Sequence, residues 1–386
     1  MALPTLLVAV AQFAATVVLA GDVVPHGDVL ASVHAHGAPS LLGPLAGVLS
    51  RADLAVVNLE TPVEPSQPES PDGTLRFNVH PDFVRALAAA GVDAVGLANN
   101  HGYDQGVAAV GETVRAVTAA GLVPAGAADV GGDPLAPARL PLAGRALCLL
   151  SVTRLLNFPV PAPTAAVPRL AMARPEVPGE ERALLDRVRI ESGRCGALVV
   201  FVHTGTEYAD APEPRDRVFF HALAAAGADA VVGHHSHTPQ PVETYAVDGR
   251  VVPIFASLGN LVSAQGSAAE RAPLEPGERF QIERDPRTRE GLLAVLRFTP
   301  GGGQRLRLVS AGYVPLWTRN DRDAARATGA VPTVSAAAMP WNGGSERFLR
   351  ARWASLVHRV GAGSLLPQGD LPGAETAYPP EVPPRR

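Results

Sequence analysis

Short apolar runs alternate with amphipathic stretches through the first two thirds of the chain, the texture of an α/β layered domain. Thr16–Val24, Ala52–Val57, Asp93–Ala98, Arg145–Val152, Ala197–Val202 and Ala228–Gly233 read as strands. Between them the pattern predicts helices over Ser40–Ser50, with Ser40 as N-cap, and over Pro81–Ala90, with Pro81 in its first turn. Further helices are expected over Val107–Ala120, Glu180–Glu191 and Arg217–Ala226, the first and last stopped by Gly121 and Gly227. Thr153–Pro178 reads as a proline-rich crossing loop.

After His237 the texture changes. Pro241–Val247, Arg250–Ala256, Leu292–Phe298 and Leu306–Tyr313 suit antiparallel strands of a second sheet, and Asp248-Gly249 signals a hairpin. Ser263–Arg289 is charged and strand-poor, and is expected to be a mobile excursion near the site. Ser345–Val360 suits a final helix, and Leu366–Arg386 is Pro-rich with little to bury, which predicts a disordered tail. At the other end, Leu3–Ala20 is nearly all apolar and close to the length of a membrane span. Yet no Lys or Arg precedes Arg51, and Thr16–Ala20 is needed for the first core strand, so a strand with a short lead-in is favoured over a signal or anchor. The expected division is a lead-in over 1–15, a main domain over 16–320, a helical extension over 321–365 and a tail over 366–386.

The 386 residues are 47% hydrophobic and 18% charged, which fits an ordinary globular chain. A net charge of -4 gives no electrostatic case for nucleic acid. The only cysteines are Cys148 and Cys195; Cys148 lies in an apolar run, where a buried free thiol is expected, and two cysteines form neither a disulfide framework nor a thiolate metal site. Any metal would therefore use N and O ligands.

The candidate chemistry lies where strands end. The run closing at Gly233 leads directly into His234-His235-Ser236-His237, three of the chain's 11 histidines in four positions. Earlier strands end in Gly21-Asp22, Asn58-Leu59-Glu60, Asn99-Asn100-His101 and His203. Open α/β sheets place their ligands at strand C-terminal ends. Metal ligands need a fixed base of this kind, and His is the commonest of them.

At these residues the chain resembles the CapA family of poly-γ-glutamate capsule synthesis proteins, whose fold is similar to the calcineurin-like metallophosphoesterases. The matching stretches are Gly21–Val24, Asn58–Glu60, Leu97–Asp104, Val202–Tyr208, Gly233–His237 and Ser257–Asn260, with Arg289–Leu292 as a further family segment. The resemblance implies a β-sandwich flanked by helices, with two metals between strand ends and one bridging carboxylate. It implies Asp22 on the first metal, Glu60 as the bridge, and Asn100 and His203 on the second. His235 and His237 are assigned one to each metal, with His234 competing for the role of His235. His101 would be the general acid or would steady the transferred group. Imidazole, carboxylate and amide donors suit Mn, Fe or Zn. A metal pair supplies hydroxide near neutral pH and clamps the oxygens of a phosphoester in line.

The chain departs from the phosphoesterase pattern at Val24, where a His ligand is usual; His26, two residues on, reads as a loop residue. Glu60 stands in place of an Asp, Thr204 in place of a Trp common in the capsule family, and Leu261 in place of an aromatic. Asn58 either orders Glu60 or caps a turn. Asp104 orients His101 or, the slightly favoured reading, caps the next helix. Glu207 either faces the site or is solvated, and Asn260 serves the site or a turn.

Two functions follow from the resemblance: a metal-dependent hydrolase, or a capsule factor that binds poly-γ-glutamate, or helps export it, without cleaving it. A TIM-barrel metal hydrolase ranks lower, because its His-x-His normally comes early. The expected partner is an anionic small molecule or polymer, with peripheral association to a membrane synthesis complex. The missing basic n-region slightly favours the cytoplasm, whereas the resemblance allows an extracytoplasmic place.

Overall fold

The first strand builds two cores at once. In the computed structural model, which describes residues 15–37, 39–70, 75–160, 164–274, 277–340, 346–367 and 370–372, β1 (Ala15–Val24) is buried on both faces. Val17 and Leu19 join one apolar cluster, and Val18 and Ala20 join another, because successive side chains of a strand point oppositely. The expected lead-in lies outside the described residues except for Ala15.

After β1 come α1 (Asp28–His36), α2 (Pro39–Leu49), β2 (Leu54–Leu59), α3 (Pro81–Ala89), β3 (Ala94–Gly96), α4 (Val107–Ala119) and β4 (Val123–Ala125). The chain continues through β5 (Ala127–Ala128), β6 (Ala138–Leu142), β7 (Arg145–Thr153), β8 (Arg169–Leu170), α5 (Glu180–Ser192), β9 (Ala197–His203), α6 (Pro214–Ala226) and β10 (Ala230–His234). It closes with β11 (Val242–Val247), β12 (Arg250–Phe255), β13 (Asn260–Ser263), β14 (Glu290–Pro300), β15 (Leu306–Asn320), α7 (Arg322–Thr328), β16 (Val334–Ala338) and α8 (Arg347–Val360).

Two mixed sheets result. One has the order β16-β15-β14-β1-β2-β3-β4, with β13 also paired to β1; the other has the order β11-β12-β10-β9-β7-β6. Leu19, Val56, Leu149, Phe201 and Phe255 belong to the core between them. Leu41, Leu45, Phe83 and Leu87 of α2 and α3 cover the outer face of the first sheet, and Leu184, Val188, Phe219 and Leu223 of α5 and α6 cover the second. This is the expected α/β layered architecture, a sandwich flanked by helices. The strands β1 to β4 run parallel, as do β7, β9, β10 and β12. Their C-terminal ends carry the candidate residues of both sheets to one rim.

Two glycines permit that convergence. A Cβ on Gly21 would lie 1.9 Å from the Gly259 carbonyl oxygen, and one on Gly233 would lie 1.9 Å from that of Ala256. Only glycine allows the backbones to approach so closely beside Asp22 and His234. The Asp248-Gly249 hairpin forms as expected, with φ of 48° and 71° suited to a type I′ turn.

Several expectations are corrected. Cys148 is no free thiol: it is joined to Cys195 in a disulfide with an S–S distance of 1.99 Å. Cys195 sits just before β9, and the parallel pairing of β7 with β9 brings together residues 47 apart in sequence. Ser40 is not the helix cap but lies inside α2, and its hydroxyl donates to the Gly37 carbonyl. The described residues of 263–289 are tied to one another rather than loose throughout, while residues 277–281 stay exposed. Backbone bonds from Gly266, Ala268 and Leu274 to residues 282–284 zip the segment together, and Thr288 and Arg289 are buried. The expected tail begins as packed chain, with Leu371 buried; residues 368–369 and 373–386 lie outside the described residues.

Beyond Asn320, β16 adds an edge strand to the first sheet, and Leu356, Val357 and Val360 of α8 pack into the core between the sheets. Buried Glu290 fastens this helix: Arg352 donates to it at 2.7 Å, and Arg359 bonds both Glu290 and, at 3.0 Å, the Pro239 carbonyl.

Candidate metal centre

Strand register places the donors. Asp22 pairs with Asn58 across β1 and β2 and with Asn260 across β1 and β13; His203 pairs with His234 across β9 and β10. Beyond His234 the chain reverses sharply. His235 has φ 91° and His237 φ 56°, left-handed values that cost a non-glycine residue energy and cluster at functional sites.

Two donor groups form. One oxygen or nitrogen each from Glu60, His203 and His235 lie within 4.8 Å of one another, and so do donors from Asp22, Glu60 and His237. Glu60 belongs to both. Asn100 reaches the first group, its Oδ1 lying 2.7 Å from His203 Nε2, which is itself 3.3 Å from Glu60 Oε1. His234 belongs to neither group; its Nδ1 lies 3.0 Å from Asp22 Oδ1, so it buttresses that carboxylate.

The polar atoms left over point to a cation. Glu60 has no exposed surface, yet neither carboxylate oxygen has a hydrogen-bond partner, and His235 Nδ1 is buried and equally unpaired. A carboxylate buried in this way is costly unless paired with a cation or protonated. Accordingly, burial pushes the Glu60 carboxyl well above its ordinary value, and the charges of Asp22, Glu207 and Asp104 push it the same way. Burial alone would raise Asp22 too, but the hydrogen bond and charge of His234, with His203 and His237, hold it well below the usual carboxylate range. Burial, reinforced by neighbouring histidines, lowers His203 well below its ordinary value and His235 to about 3. Neutral imidazoles are the form that binds metal.

The remaining expected residues have defined places. Asp104 is not a helix cap; α4 begins after Gly106, and Asp104 Oδ2 instead lies 2.6 Å from His101 Nδ1 and accepts the Phe77 amide at 2.7 Å. Asn58 orients Asp22 rather than Glu60, donating to Asp22 Oδ1 at 2.8 Å. Asn260 serves the site: its Oδ1 is 3.0 Å from His237 Nδ1, and its amide donates to the carbonyls of His237 and Thr288. Glu207 lines the cavity over the centre.

Sequence reasoning missed Asn157, whose Oδ1 accepts from Asn100 and whose amide nitrogen lies 3.3 Å from His101 Nδ1. It also missed Phe77, which stacks on His101 at 4.1 Å between ring centroids, with His26 stacked in turn on Phe77. His26, expected as a plain loop residue, therefore lines the same cavity. Neither Asn157 nor Phe77 falls at a strand end, so no pattern pointed to them.

Residues 16–265 match the model of the family described as Bacterial capsule synthesis protein PGA_cap. The chain belongs to this capsule synthesis family. A probable polyglutamine synthesis accessory protein of Mycobacterium tuberculosis is 30% identical over 69% of this chain and 71% of its own length. The capsule biosynthesis protein CapA of Bacillus anthracis is 28% identical over 65% of this chain and 60% of its own length. A hypothetical protein from Thermus thermophilus, known as a crystal structure, is 20% identical with a TM-score of 0.42, covering 78% of this chain and 98% of its own. The capsule family match ends at 265, so Ile282, Glu283, Glu290 and α8 lie outside it. Among the described residues, no helix is long and apolar enough to cross a membrane.

Proposed function

We propose that this capsule-family chain is a metal-dependent hydrolase of the phosphoesterase type, acting in capsule or poly-γ-glutamate synthesis. Glu60 carries the reading: a buried carboxylate, without a hydrogen-bond partner at either oxygen, shared by two groups of metal-type donors. Asp22, Glu60 and His237 would hold one divalent cation. Glu60, Asn100, His203 and His235 would hold a second. The absence of thiolate and the mix of imidazole, carboxylate and amide suit Mn, Fe or Zn. When bound, such a pair supplies an activated water and neutralises phosphoester charge.

The chain's own residues do the rest. Asp104 holds His101 by Nδ1, which leaves Nε2 to carry a proton toward a leaving oxygen. Phe77 fixes the plane of that ring. The partly acidic cavity admits substrate over Asn100, His101 and His237. An anionic substrate and peripheral contact with a membrane synthesis complex fit the same reading. The Cys148–Cys195 disulfide supports an oxidising compartment, against the slight preference for the cytoplasm drawn from the N-terminal sequence.

The relatives' names favour a second reading, in which the metals hold a polymer carboxylate without cleaving it. The His101–Asp104 pair has no task in that case. Protein loaded with Mn²⁺ is expected to cleave bis(p-nitrophenyl) phosphate. His101→Ala should keep its metal while kcat falls by about 10²–10⁴. Metal-loaded protein inert to phosphoesters and peptides, yet binding poly-γ-glutamate, would replace the hydrolase with the binding factor.

A further inference from the structure

The cavity over the metal centre has about 560 Å³ and an unusual wall for a site facing a polyanion. Its floor is Asn100, His101 and His237. Its sides are Leu75, Phe77, Phe158, Tyr208 and Ile282. The only charged side chains lining it, among the described residues, are Glu207 and Glu283. Arg76, next to Phe77 in the chain, stacks over the Phe158 ring at 4.5 Å and lines a separate cavity with Tyr103 and Asp104. Phe158 lines both cavities, whereas Arg76 lines only the second. Leu75 is 79% exposed and Phe280, stacked on Tyr208, is 43% exposed, so the mouth presents apolar surface to water.

Resting on the metal-centre reading above, we infer that the site takes a ligand with one anionic group and an uncharged apolar body of aromatic size, and that it disfavours a chain of carboxylates. Among the described residues lining the cavity no Arg contributes positive charge, so one phosphate or carboxylate would be neutralised chiefly where the metals would sit. Every further carboxylate would meet Glu207, Glu283 or an aromatic face, with no cation to offset its desolvation. An apolar body would instead cover Phe158, Tyr208 and Ile282 and remove their surface from water. Glu207 and Glu283 are then specificity residues that reject the polymer, and Phe158 is the side chain that grips the small ligand.

Calorimetry on Mn²⁺-loaded protein tests this with non-hydrolysable probes. Phenylphosphonate and methylphosphonate share an anionic group and differ in the apolar body. Phenylphosphonate should bind about tenfold tighter, a gap that Phe158→Ala should shrink to about threefold or less. A tetra-γ-glutamate peptide should bind more weakly than phenylphosphonate and gain about fivefold or more in the Glu207→Gln/Glu283→Gln double variant. Both changed positions are on the exposed rim, so folding is not at stake, and Mn²⁺ uptake measured on each variant confirms this. Equal affinity for the two phosphonates, no binding of either, or tightest binding of the peptide would overturn the inference while leaving the metal centre standing. Protein that takes up no Mn²⁺ would overturn the metal-centre reading and this one with it.

Discussion

Glu60 concentrates the physics of the site in one side chain. A buried carboxylate whose oxygens have no hydrogen-bond donor takes up a proton or binds a cation, and in the metal-free fold its burial is costly. Glu60→Gln removes that conflict. The metal-free variant should therefore be at least as resistant to urea as the metal-free parent. The parent should gain about 2.7 kcal/mol per site at a free metal concentration one hundredfold above Kd, whereas the variant should gain almost nothing. Unchanged stabilisation by metal in Glu60→Gln would remove Glu60 from the site. Between His234 and His235 the geometry favours His235: His234 is the last residue of β10 and braces Asp22, while the left-handed turn at His235 brings its imidazole beside His203. His234→Ala should thus weaken metal affinity without abolishing it, whereas His235→Ala should empty the Glu60–His203 group, as read by metal titration.

At the scale of elements, the site depends on close backbone contact between strands. Gly21→Ala would force β1 away from the Gly259 carbonyl and carry Asp22 with it. The expected result is a large loss of stability, about 2–4 kcal/mol, together with weaker metal binding. Near-normal stability in urea would show that the chain relaxes around the added methyl at small cost. The disulfide acts between elements as well: for the 47-residue separation, chain entropy predicts that reduction costs about 4 kcal/mol. Urea unfolding with and without reductant measures it. The strands were legible in the sequence because both faces are buried, which produces unbroken apolar runs ending in polar donors. The donors at β1, β2, β9 and β10 were readable for the same reason. The disulfide, the Asn157 contacts and the Phe77–His101 stack were not, since each joins segments whose proximity depends on tertiary packing and on no local period. The backbone bonds from Gly266, Ala268 and Leu274 to residues 282–284 were not legible either, because a charged, strand-poor segment carries no period that reveals them.

For the whole molecule, the sandwich is closed by its C-terminal part. Glu290 sits at the start of β14 and ties Arg352 and Arg359 of α8 to the sheet, and Arg359 also reaches the Pro239 carbonyl just after the histidine turn. Glu290→Ala would leave two guanidinium groups without their carboxylate and should cost about 3–5 kcal/mol. A loss below about 1 kcal/mol would show that α8 is held by its apolar face alone. Substrate access belongs to this scale too, because the cavity wall is assembled from segments as distant as Leu75, Phe158 and Ile282.

The most direct test of the account is elemental analysis of divalent metal per chain in the parent, His203→Ala and Glu60→Gln, each loaded with Mn²⁺ and freed of excess. The account predicts two ions in the parent, loss of the ion held by His203 in His203→Ala, and loss of both in Glu60→Gln. Full occupancy retained in Glu60→Gln, or no metal in the parent, would contradict it.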